Sequence, residues 1–160
     1  MISMLLDNAD ATDALGAALA RTRPARGVVH LQGDLGAGKS TLARALLRTL
    51  GVTGAIRSPT YTLVERYPLS SGGEAWHLDL YRIGDGAELE FLGLDSDEAT
   101  LWLVEWPERG AGFLPPADIC IALEVSGSGR RATVTGFTET GQEWLTRLQA
   151  VNPDQVASHS

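Results

Sequence analysis

The chain is 160 residues long, 44% hydrophobic and 21% charged, with a formal net charge of −7. That length and balance fit one soluble domain around one core and exclude a disordered or fibrous chain, and no stretch approaches the ~18 apolar residues of a membrane span. The charge is uneven: residues 1–57 hold seven basic and four acidic side chains (+3) and residues 58–160 hold six and sixteen (−10), an acidic remainder that argues against unaided nucleic-acid binding.

In chain order, Met1 to Asp7 is a short apolar run with no basic region ahead of it, which makes a poor signal peptide. Asp10 to Arg21 predicts a first helix, with Asn8 or Asp10 as its N-cap and Leu15, Ala18 and Leu19 on one apolar face. Val28 to Leu31 reads as a buried strand, and after a Gly-rich segment a second helix runs from Thr41 to Leu50, with Gly51 as its stop. Arg57 to Tyr61 leads into a β-prone run through Tyr67, and the Ser and Gly of Leu69 to Glu74 predict a hairpin turn. Strands follow at Ala75 to Leu80 and Thr100 to Glu105, with a short helix around Ala87 to Leu92 between them. Asp118 to Val125 and Arg131 to Phe137 read as late strands, Gly141 to Ala150 as a closing helix, and residues 151–160 as a frayed, disordered polar tail. The one cysteine, Cys120, lies in an apolar strand pattern and reads as an inert buried thiol of a reducing compartment, so the expected location is cytoplasmic. Residues 1–150 are thus expected to form a single three-layer α/β domain with a mainly parallel central sheet and its ligand at the carboxyl ends of the strands.

The segment Gly33-Asp34-Leu35-Gly36-Ala37-Gly38-Lys39-Ser40 contains the only lysine of the chain; the other twelve basic residues are arginines. Its spacing is that of the phosphate-binding loop, in which glycines let backbone N–H groups converge on phosphate oxygens. The lysine reaches the β- and γ-phosphates, and the hydroxyl holds Mg²⁺. A Gly-rich turn with a surface lysine is the plainer alternative. The strand before the segment and the helix after it favour a triphosphate on a helix N-terminus and make the expected domain P-loop NTPase-like.

Turnover would need acids beside the loop, and two close apolar strands: Asp79 in the run from Ala75 and Glu105 in the run from Leu101, which Pro107 ends. Either suits Mg²⁺ or its bound water, and a metal would offset the several kcal/mol that burying each carboxylate costs. The alternative for each is a structural pairing with an arginine such as Arg82 or Arg109. Thr60 could present its hydroxyl to the γ-phosphate or metal, because Pro59 holds Ser58 extended; an ordinary turn is the equal alternative. His30 and His77 lie in strand patterns and read as structural histidines. Trp106, between Glu105 and Pro107, could cover the site mouth or simply pack. A guanine-gripping Asn-Lys-x-Asp segment needs a second lysine, so ATP is the expected nucleotide.

Five segments, GDLGAGKST (33–41), SPTYTLVERY (58–67), HLDLYR (77–82), ELEFLGLD (88–95) and LVEWPERGAGFLP (103–115), together resemble the bacterial TsaE family, also called YjeE. The resemblance implies a small P-loop ATPase needed for N6-threonylcarbamoyladenosine at position 37 of tRNAs. Such a protein acts as an accessory to the TsaD–TsaB pair, and tRNA is reached only through that complex. Carried over by position, it implies that Gly36, Ala37, Gly38, Lys39, Ser40 and Thr41 hold the phosphates of ATP. Ser40 and Glu105 would bind Mg²⁺ with Asp79 as the hydrolytic acid, and Thr12 and Arg130 would touch the nucleotide. Many members carry Thr where this chain has Ser40, which keeps the hydroxyl, and Arg131 is an alternative to Arg130. No arginine finger in cis is evident; Arg57, Arg82 and Arg109 are the internal candidates, and a partner could supply one. The competing readings are a small-molecule P-loop kinase, for which no R-x-x-R lid follows the loop, and a non-hydrolysing nucleotide-gated adaptor.

Overall fold

The computed structural model describes residues 1–59, 62–94, 97–151 and 157–158. Its strands are β1 (Ile2–Leu6), β2 (Gly27–Gln32), β3 (Val64–Pro68), β4 (Glu74–Asp79), β5 (Ala99–Glu105), β6 (Ile119–Ser126), β7 (Gly129–Gly136) and β8 (Ala157–Ser158). Three α-helices, α1 (Ala9–Thr22), α2 (Lys39–Thr49) and α3 (Glu139–Val151), and two 3₁₀ helices, Gly86–Leu92 and Pro107–Gly110, complete the described elements. The strands form one sheet in the order β3-β4-β5-β2-β6-β7-β1-β8. Neighbours from β4 through β5 and β2 to β6 are parallel, while β3, β7 and β8 run against them, so five of the eight strands point one way.

Side-chain alternation along each strand sends two kinds of residue to two faces. On one face Ala75, Leu101, Leu103, Val29, Leu31, Ile119, Ile121 and Val134 join the apolar sides of α1, α2 and α3 in one core. On the other face Trp76, Leu78 and Val104 form a second, smaller cluster with Leu80, Ile83 and Leu89, roofed by the 3₁₀ segments. Helix, sheet and 3₁₀ layers therefore make the three-layer α/β arrangement.

The first helix begins as its sequence indicates, with Asn8 Oδ1 accepting from the Ala11 amide at 2.9 Å. It packs closely on α2 because Gly16 lacks a side chain: a Cβ there would lie 2.6 Å from that of Ala45. The hairpin at 69–74 joins antiparallel β3 and β4, as the turn residues require. The helix around 87–92 is a 3₁₀ helix, entered through a capping box between Asp85 and Glu88 and left at Gly93, whose φ is +67°. Strand β1 is the element the sequence did not display. Ile2, Met4 and Leu6 are buried, but the intervening Leu5 is 53% exposed, and its apolar character hides the alternation. Of the tail, residue 151 closes α3 and 157–158 pair with β1; residues 152–156 and 159–160 lie outside the described residues.

Candidate functional site

The chain leaves β2 at Gln32 and turns through Gly33, whose φ of +145° few other residues adopt. A Cβ at Gly33 would stand 2.4 Å from the Leu123 carbonyl oxygen of β6, so this glycine lets the loop pass against the neighbouring strand. Gly36 and Gly38 hold φ of +80° and +104°, the second as the N-cap of α2 with no side-chain cap. The uncapped first turn of α2 thus offers its free N–H groups, and the positive end of its dipole, to whatever anion the loop encloses.

Lys39 opens α2 but is buried, its ammonium donating to the Gly33 carbonyl and lying 3.9 Å from the ring centroid of Trp106. Burial lowers its pKa, opposed by the carboxylates of Glu105, Asp79, Glu108 and Asp34. Trp106 takes φ +57°, a left-handed conformation unusual for a bulky residue, just before Pro107 starts a 3₁₀ turn. The indole is thereby laid over the lysine, with the Tyr81 ring 5.0 Å away and the Arg109 guanidinium over both rings.

The acids come from the parallel pair β4–β5, where Asp79 stands in register with Glu105. Both are buried, and their odd-numbered parity with Leu101 and Leu103 aims them at the helix face, where α2 begins. Ser40 Oγ donates to the Glu105 carboxylate, 3.1 Å from Oε2 and 3.2 Å from Oε1. His77 Nε2 approaches the same Oε2 at 2.6 Å, with the two side chains only 1% and 3% exposed. Asp79 Oδ1 accepts from the Tyr81 amide at 3.0 Å, which fixes the carboxylate at the strand end. Lys39, Ser40, Asp79, Glu105 and Trp106 line a cleft of about 240 Å³.

A second cleft of about 200 Å³ adjoins it, sharing Gly38 and Thr41, and is lined by Asn8, Thr12, Gly129 and Arg130. Arg130 stitches β7 to the Gly-rich loop, donating to the Ala37 carbonyl at 3.1 Å and the Gly36 carbonyl at 3.2 Å. Arg131 points to the other face of β7, where its guanidinium meets Ser3 Oγ at 3.3 Å.

The structure thus brings Thr12, residues 36 and 38–41, Asp79, Glu105 and Arg130 to the walls of two joined clefts, with Ala37 buried beneath them. Thr60 lies outside the described residues. Arg57, Arg82 and Arg109 line neither cleft. His30 and Cys120 line a separate groove with Phe137; burial lowers the imidazole pKa and pushes the thiol up to about 11, consistent with an inert sulfur. His77 is the site residue that its strand pattern concealed. The available signal was parity: His77 is two residues before Asp79, hence on the same face.

Among the described residues no three His, Cys, Asp or Glu side chains cluster as metal ligands. The donor set at the mouth of the loop is instead one hydroxyl and one carboxylate, both hard oxygen donors. That fits an octahedral cation completing its shell with phosphate oxygens and water, as Mg²⁺ does.

A profile described as "Threonylcarbamoyl adenosine biosynthesis protein TsaE" matches residues 6–133. Curated relatives carry the name "tRNA threonylcarbamoyladenosine biosynthesis protein TsaE". That of Haemophilus influenzae is 43% identical over 72% of this chain and 73% of its own. That of Synechocystis is 41% identical over 68% and 71%, and that of Streptomyces coelicolor 37% over 82% and 93%. The crystal structure of Bacillus subtilis YdiB superposes with a TM-score of 0.77 over 95% of this chain and 98% of that one; at 24% identity it bears on the fold alone. The chain therefore belongs to the TsaE family, which takes part in tRNA threonylcarbamoyladenosine biosynthesis.

Proposed function

We propose that this chain is a cytoplasmic, Mg²⁺-dependent ATP-binding and ATP-hydrolysing accessory protein that supports a TsaD–TsaB complex in forming N6-threonylcarbamoyladenosine at position 37 of tRNA. The observation that carries the reading is the meeting of Ser40 and Glu105 at 3.1–3.2 Å across the mouth of a Gly-rich loop whose single lysine lines the same cleft. Loop amides and Lys39 provide the positive charge that phosphates need. Ser40 and Glu105 would hold Mg²⁺, which when bound neutralises charge developing on the phosphate oxygens. Asp79, beside Glu105 at the strand ends, would orient the attacking water, and the Trp106–Tyr81 roof excludes bulk solvent. Thr12, Thr41 and Arg130 flank the space for the rest of the nucleotide.

Dependence on partners is supported by the arginines. Arg130 is the one arginine lining either cleft among the described residues, and its guanidinium is engaged with the loop carbonyls. A finger from outside the chain is worth about 10³–10⁵ in rate in comparable sites. The acidic balance of residues 58–160 supports contact with tRNA only through the complex.

The test is phosphate release from ATP and Mg²⁺ by the chain alone and with TsaD–TsaB, with Lys39→Ala as the blank. Low turnover that rises sharply with the partners is the expected result. Full turnover alone would indicate an autonomous enzyme, transfer of phosphate to a small molecule would indicate a kinase, and no turnover in either mixture would indicate a nucleotide-gated adaptor.

A further inference from the structure

We infer that His77 is a positioning residue, the group that fixes the orientation of the Glu105 carboxylate beside Ser40; this rests on the proposed Mg²⁺ site. The carboxylate has two hydrogen-bonding neighbours among the described residues, Ser40 Oγ and His77 Nε2. A serine hydroxyl that ligates a cation does so through a lone pair and keeps its hydrogen for the carboxylate. Ser40 Oγ lies almost equally far from Oε1 and Oε2, at 3.2 and 3.1 Å, and so does not fix which oxygen turns which way. His77 does: it approaches Oε2 rather than Oε1, at 2.6 Å, which resists rotation of the carboxylate about its terminal bond. Outer partners of this kind commonly set metal affinity through ligand orientation.

The imidazole has the features of a site component rather than of an ordinary core histidine. Its contact to Glu105 crosses from one strand to the next, diagonally over a parallel register that pairs His77 with Leu103. Its Nδ1 is buried with no hydrogen-bond partner among the described residues, so its one recorded hydrogen bond is to the Glu105 carboxylate. Buried polar atoms left unpartnered are uncommon in folded proteins. His30 Nε2 is another, but His30 lines a separate groove, whereas the second nitrogen of His77 is bonded to a carboxylate of the cleft that holds Lys39. Because a carboxylate oxygen accepts, Nε2 carries the hydrogen of this bond.

The test measures ADP binding by calorimetry with and without Mg²⁺, for the wild type, His77→Leu and His77→Gln. The ratio of the two affinities is expected to fall by ~10–100-fold in His77→Leu and to be partly restored in His77→Gln, whose amide N–H can replace Nε2–H. A wild-type ratio near one would overturn the metal site and this inference with it. A normal wild-type ratio left intact in His77→Leu overturns only the inference. Should His77→Leu not fold, ¹⁵N-histidine spectra of the wild-type chain decide: an Nε2-bound, solvent-protected proton that persists on adding Mg²⁺ and ADP is expected. An Nδ1-bound proton, or loss of protection on loading, would refute the proposal.

Discussion

The two flanks of the sheet are built on opposite rules. Where β7 and β1 close the antiparallel side, the helix-facing positions beyond Arg130 are apolar and buried: Ala132, Val134, Ile2, Met4 and Leu6. Where β4, β5 and the start of α2 meet, the chain instead buries Lys39, His77, Asp79 and Glu105, which are all the buried Lys, Arg, His, Asp and Glu side chains among the described residues. Burying charge costs several kcal/mol per ion before pairing, whereas each fully buried aliphatic side chain contributes roughly 1.5–3 kcal/mol. The antiparallel flank and the helices it packs on therefore stabilise a fold whose parallel end is organised for a ligand. Substitutions in the two regions should separate stability from binding.

The largest expected effect is on stability. Trp144 of α3 is fully buried, and its Nε1 donates to Thr22 Oγ1 at 3.1 Å, tying α3 to the end of α1. Trp144→Ala should lose about 3–5 kcal/mol in urea unfolding, a large share of the 5–15 kcal/mol typical of a domain, while folded molecules keep their affinity for Mg²⁺–ADP. A variant of normal stability that no longer binds nucleotide would break the comparison.

Lys39→Met should do the reverse. Losing charge-assisted hydrogen bonds to phosphate should weaken Mg²⁺–ADP binding by about 10- to 200-fold, or ~1.5–3 kcal/mol. Since an apolar side chain of similar length replaces a desolvated ammonium, the midpoint of thermal unfolding should stay level or rise. Calorimetry and thermal scans on one sample read both quantities, and a marked fall in the midpoint would contradict the assignment. Glu105→Gln follows, with about a 10- to 100-fold loss confined to titrations that contain Mg²⁺. Equal losses in its absence would mean that the side chain shapes the loop rather than the metal site.

Much of this arrangement was legible from the residues. The lone lysine between Gly38 and Ser40 marked the loop, and an acid closing each of two apolar runs marked Asp79 and Glu105. The structure sets these two in register and brings them to the cleft that holds Lys39. What escaped depends on information a single strand does not contain. The contact of His77 with Glu105 is set by the register between β4 and β5, which neither segment reveals alone. The left-handed backbone of Trp106 has no local cue of the kind glycine gives, so its position over Lys39 could be raised but not assigned. Strand β1 was hidden by Leu5, an exposed apolar residue in a run whose alternation should have shown polar ones.

The smallest effect tests a choice that sequence left open, between two adjacent arginines. Strand alternation sends Arg130 to the face of Ala132 and Val134 and thus to the loop, and sends Arg131 to the opposite face beside Ser3. Arg130 holds the Gly36 and Ala37 carbonyls, groups with no partner inside α2, and so keeps the loop open in its enclosing shape. Removing these bonds at a partly exposed position should cost about 1 kcal/mol of binding, or roughly fivefold in Mg²⁺–ADP affinity for Arg130→Ala. Arg131→Ala, one residue along the same strand, should bind as the wild type does. Equal losses in both variants would point to the general positive field of β7 rather than to the loop contacts, and that field would weaken with added salt in a way that two hydrogen bonds to backbone carbonyls would not.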